Sequence, residues 1–170
     1  MPNVHPLVVH FPIALIFVIV ACDLIGLLFH NRTFILTGTI LSVFAALGAA
    51  VTAISGLLAA DDVWHLPASS EMLETHETLG LVFLGIIVVM LILRFALKDR
   101  IYGKLGWIVF VWGVIGAGVV TGGGYLGGEM VYRYGTGVKE AQMAVARADS
   151  LAKLLNISPL EQAPPTTEKQ

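Results

Sequence analysis

The chain has 170 residues, of which 56% are hydrophobic and 13% charged, and its mean hydropathy is +0.83. That is a membrane-protein composition, since a soluble domain carries about a quarter charged residues. A net charge of −2 leaves no basic surface for nucleic acid. The single cysteine, Cys22, excludes an internal disulfide, and no C-x-x-C-H string offers covalent c-type haem attachment.

Crossing a bilayer takes about 20 apolar residues of helix. Four segments qualify: Pro6–Phe29, Phe34–Ala60, Thr78–Leu97 and Leu105–Leu126. The first starts too near Met1 for a basic leader region and lacks a small-residue cleavage site, so it reads as a retained span. Gly48 and Gly56 interrupt the second, which leaves open a division into two shorter pieces. Short polar breaks join the spans, and short connections make consecutive helices antiparallel neighbours. The fold class expected is all-α: an integral membrane up-down four-helix bundle over residues 1–135. Residues 136–157 add an amphipathic extracytoplasmic helix, with Val138, Ala141, Val145, Ala148, Ala152 and Leu155 at helical spacing. Residues 158–170, rich in Pro and Thr, read as a disordered tail.

Orientation follows from the basic residues. Arg32, Arg94, Lys98, Arg100 and Lys104 fall on one side, whereas the connection Asp61–Glu77 has five carboxylates and no Lys or Arg. The positive-inside rule puts the basic side in the cytoplasm, with both termini and the acidic loop outside. In a bacterial host this is a multi-pass protein of the inner (plasma) membrane.

That topology sorts the histidines. His5, His10, His65 and His76 gather at the outer rim, and only His30 is cytoplasmic. His10 and His76 lie at similar depth on spans that run in the same direction. His5 and His10 are separated by roughly 140° around a helix, so they do not face one ligand unless the helix begins late. Pro12, suited to a first helical turn, offers such a late start. Two imidazoles from different helices are what b-type haem requires, because its iron takes an axial ligand on each face. On this reading His10 and His76 are the ligands, with His5 and His65 as substitutes or a second pair. The same histidines with neighbouring glutamates also suit zinc or copper, and interfacial capping without any metal is the third reading.

The stretch from Gly113 in span four to Gly137 beyond its end carries ten glycines. Tight helix packing, as at Gly118-x-x-x-Gly122, accounts for them, and so does a flat macrocycle pressed against the helix. Tyr125, Glu129, Tyr132 and Arg133 form a polar face at the outer end. Arg133 there serves either a haem propionate or the lipid interface. Asp23 is the only carboxylate inside an apolar span, and a charge in a bilayer needs a partner. Arg94, at matching depth on span three, is that partner.

The start "HPLVVHFPIAL", Asp23, and the end "GGEMVYRYGTGV" resemble an uncharacterised bacterial four-span membrane family, domain of unknown function twenty-two thirty-one. The resemblance covers about residues 3–138. It implies redox work, because some relatives are fused to a Rieske iron–sulfur domain or occur beside cytochromes. Some relatives carry histidine at the positions matching Glu129 or Tyr134, and this chain does not. The function expected is a membrane electron-transfer protein or subunit holding haem b, linking membrane quinol to an extracytoplasmic redox partner. No nucleophile–base pair marks a stand-alone enzyme. The alternatives are a non-catalytic assembly subunit of a larger membrane complex and a metal-handling protein.

Overall fold

The computed structural model describes residues 4–60 and 63–155. Among them all regular structure is helical. Span one consists of α1 (His5–Val8) and α2 (His10–Leu28), which run on as one 24-residue rod. Span two is α3 (Arg32–Ala60), span three α4 (Ser70–Leu97) and span four α5 (Gly106–Tyr134), followed by α6 (Lys139–Leu154). All four spans are long and apolar enough to cross a membrane. The expected tail, 158–170, and the end of the expected amphipathic helix, 156–157, lie outside the described residues.

Each long helix packs on its chain neighbours, and α5 closes the ring against α2. Spans one and three are therefore diagonal, facing each other across the bundle axis. Ile16 and Ile19 of α2, Ala45 of α3, Ile87 and Met90 of α4 and Val109 of α5 fill the centre. The outside is apolar too: Leu7, Phe17, Leu47, Leu58 and Ile92 are exposed. A water-soluble chain does not present so continuous an apolar surface. Here the bilayer is the solvent for it.

Two helices extend past their apolar windows. α4 begins at Ser70 instead of Thr78, and α5 ends at Tyr134 instead of Leu126. Hydropathy marks only the hydrocarbon-facing part of a helix, and the turns beyond it are polar. α5 stays helical through its glycines because backbone groups in apolar surroundings must pair within the helix. That requirement outweighs the roughly 1 kcal/mol by which each glycine disfavours helix.

The first helix begins early, not at Pro12. Pro6 occupies its first turn, where a missing N–H costs nothing. Pro12 then lies within the rod and leaves the Val8 carbonyl without its usual amide donor. Thr52 of α3 turns its hydroxyl to that carbonyl at 3.5 Å. Nor is span two divided. A Cβ at Gly48 would come within 2.8 Å of the Phe11 ring, and one at Gly56 within 3.1 Å of the His5 ring. Both glycines sit where span one presses close on α3.

At the opposite end of the bundle from His5, Asp23 and Arg94 form the expected ion pair. Arg94 Nη2 donates to Asp23 Oδ2 at 2.5 Å and Nη1 to Thr39 Oγ1 at 3.3 Å. Both charged residues are buried, at 2% and 3% exposure. Gly38 makes room for them: a Cβ there would lie 2.7 Å from Asp23 Oδ1. One contact thus ties α2, α3 and α4 together in register.

Candidate functional site

At the N-terminal end of the bundle a cleft of about 470 Å³ opens between the spans. This is within the range of roughly 300–1,000 Å³ typical of small-molecule sites. Its walls are overwhelmingly apolar, and its polar lining comes from His5, His10, Thr52, His76, Glu77 and Thr136. Exposed lining residues such as His10, Leu57 and Leu81 show that it communicates with the outside.

His5 and His76 face each other in this cleft. Their ring centres are 6.3 Å apart and their planes cross at 85°. Each is anchored to a helix other than its own. His5 Nδ1 lies 3.1 Å from the Thr52 carbonyl of α3, and 3.2 Å from Ser55 Oγ. His76 Nδ1 lies 2.9 Å from the Gly123 carbonyl of α5. A carbonyl only accepts, so Nδ1 is the donating nitrogen toward Thr52 and toward Gly123. Metal-bound histidines are commonly held this way, the remote N–H fixing tautomer and ring orientation. Two imidazoles bound trans to one metal ion, with bonds of about 2 Å, have ring centres about 6 Å apart.

The glycines of α5 divide into groups. Gly113 and Gly116 pack against Val20, Ile86 and Ile16, where a Cβ would fall at 3.1–3.6 Å. They serve helix contact. Gly123, Gly124, Gly127 and Gly128 line the cleft instead. A Cβ at Gly127 would approach His76 Cε1 to 3.2 Å, whereas at Gly124 and Gly128 it would meet nothing within 4 Å. Their missing side chains make the space itself. A Cβ added at Gly118 or Gly122 would meet nothing within 4 Å, so among the described residues no helix packs on the G-x-x-x-G pair.

His10 lines the cleft but is exposed, and it is His5, one turn and more nearer the terminus, that meets His76. The early helix start is the reason. His65 lies in a separate shallow cleft against α6, its Nδ1 3.0 Å from the Val63 carbonyl. Arg133 pairs with Glu129 at 3.6 Å and lies over the Tyr134 ring, away from the cleft. Tyr125, exposed, donates its hydroxyl to Glu129 at 3.3 Å. Among the described residues no three His, Cys, Asp or Glu side chains converge as a metal-ion site. Thr52, Gly56 and Thr136 also line the cleft, and of these only Gly56 stands out in the sequence, as an interruption of span two. No motif marks Thr52, and Thr136 is visible only as part of the glycine-flanked end motif.

The family described as predicted membrane protein DUF2231 matches residues 1–140, and the chain belongs to it. This agrees with the resemblance carried by the two end motifs. No curated protein and no solved structure matches the chain.

Proposed function

Proceeding from a DUF2231 membrane protein with an apolar cleft between two facing histidines, we propose that this chain holds haem b for one-electron transfer. His5 and His76 are the residues that would hold its iron. The observation that carries the reading is the His5–His76 pair on diagonal spans, each ring tied through Nδ1 to a carbonyl of the next helix. Two protein ligands suffice for haem, whose ring supplies the other four. Zinc and copper sites draw three or four ligands from the protein. The glycine wall suits a flat ring better than a compact ion.

Haem, when bound, supplies reversible one-electron chemistry. The chain's own residues bind and orient it. Thr52 and Gly123 carbonyls hold the two imidazoles, Gly56 and Gly127 leave the rings room, and the apolar walls exclude water. By the bias of Arg32, Lys98, Arg100 and Lys104, this end of the bundle is extracytoplasmic. The partners are then membrane quinol, as donor, and a redox protein on the outer side, in the inner membrane of a bacterium. A second reading, an assembly subunit without cofactor, is favoured by Gly118 and Gly122, a close-approach face left open on the outside of α5.

The test is the absorption spectrum of purified protein, oxidised and then reduced with dithionite. The expected result is a Soret band and reduced α-band of six-coordinate haem, lost in His5→Ala and in His76→Ala and retained in His10→Ala. A colourless wild-type protein overturns the haem reading. A haem-loaded protein indifferent to both His5→Ala and His76→Ala overturns the ligand assignment.

A further inference from the structure

The end motif contains a device that the paired histidines do not account for. α5 stops at Tyr134, and Gly135 and Gly137 follow with φ of 65° and 74°. Side-chain-bearing residues enter that left-handed region only at a cost. Gly135 is doubly constrained, since a Cβ there would meet the Cβ of Ala141 at 2.6 Å. The two turns fold Thr136 back onto the bundle. Its N–H bonds the Met130 carbonyl at 3.0 Å, and the next N–H, of Gly137, bonds the Trp64 carbonyl at 2.8 Å.

So held, Thr136 is 9% exposed and lines the same cleft as His5 and His76. Its Oγ1 is buried and has no hydrogen-bond partner among the described residues. Leaving a hydroxyl buried and unpaired costs about 1–3 kcal/mol, and folded proteins keep few such groups. Nearby backbone donors are already used, since the N–H groups of Gly135, Thr136, Gly137 and Val138 all bond carbonyls. The hydroxyl is the donor this loop still has to give.

We propose that Thr136 is a ligand-binding residue whose hydroxyl donates to a carboxylate on the edge of the cleft's ligand. The inference rests on the haem reading, in which that carboxylate is a propionate. Carboxylates are costly in the apolar middle of a bilayer, so the propionates of a haem held by His5 and His76 would belong at the polar end of the bundle. The Thr136 loop forms part of that end. Arg133, the sequence-level candidate for this contact, is occupied by Glu129 outside the cleft. Glu77 also lines the cleft and repels an anion, which makes an aimed neutral donor the more useful. The flanking glycines acquire a purpose beyond ending a helix: they aim the threonine.

Protein expressed without haem supplementation is titrated in detergent with ferric haem b and, separately, with its dimethyl ester, following the Soret band. Thr136→Val keeps the shape and removes the hydroxyl, and Thr136→Ser restores it. The expected result is about tenfold to hundredfold weaker binding of free-acid haem by Thr136→Val, as for a lost hydrogen bond to a charged group. Thr136→Ser should stay within a few-fold of wild type, and the ester should bind wild type and Thr136→Val within a few-fold of each other. Equal binding of free-acid haem by wild type and Thr136→Val overturns the inference. Equal weakening for both haems also overturns it, since it marks a structural role alone. Failure of the wild-type protein to bind either haem overturns the haem reading instead, a result distinct from both.

Discussion

Replacing Asp23 by alanine leaves the buried Arg94 guanidinium with a single remaining hydrogen-bond partner among the described residues, Thr39 Oγ1 at 3.3 Å. The lost bond is charge-assisted, and such bonds contribute about 1.5–3 kcal/mol. The stranded cation adds to this, so the expected loss is about 3–5 kcal/mol, the range for breaking one side of a buried pair. Replacing both residues with apolar ones, Asp23→Leu with Arg94→Met, should recover most of that loss, because no uncompensated charge remains. Gly38 supplies an independent check. Its Cβ in Gly38→Ala would fall 2.7 Å from Asp23 Oδ1, which predicts a cost of about 1–3 kcal/mol from overpacking. In an Asp23→Ala background that clash is gone, so the two substitutions should be strongly non-additive. Unfolding by SDS titration in mixed micelles, followed by circular dichroism, measures each term. An Asp23→Ala protein within about 1 kcal/mol of wild type would refute the reasoning. So would a double variant no more stable than Asp23→Ala alone.

Gly127→Ala puts a methyl group 3.2 Å from the His76 imidazole and Gly56→Ala one 3.1 Å from that of His5; under the haem proposal each should weaken haem binding roughly fivefold or more, an overpacking cost of at least about 1 kcal/mol. Gly118→Ala and Gly122→Ala, with open space at the same atom, should bind haem like wild type. The comparison fails if all four behave alike in a Soret titration. Orientation can be read from a Cys22→Ala background carrying Glu71→Cys or Lys104→Cys, both at exposed positions. A membrane-impermeant maleimide should label the first in intact cells and the second only after lysis, and the reverse pattern overturns the assignment of sides.

Depth along the bundle was legible in the residues alone. A helix rises about 1.5 Å per residue whatever surrounds it, so counting from the ends placed Asp23 level with Arg94. The same counting gathered His5, His10, His65 and His76 at one end. Span number followed from hydropathy, because the bilayer imposes a minimum apolar length. Rotation about the helix axis was not legible, since it depends on where the helix begins and what it packs against. His5 and His10 differ by about 140° in that rotation, and only the early start at Pro6, with Thr52 supplying the donor that Pro12 lacks, turned His5 toward His76. The glycine run of α5 posed the same difficulty. Composition treats Gly116, Gly118 and Gly127 alike, yet one packs on a helix, one faces outward and one leaves room for an imidazole. Thr136 shows the limit most plainly. That a hydroxyl is buried, unpaired and beside a cleft is a relation between α5, the loop after it and Trp64, and tertiary packing creates it.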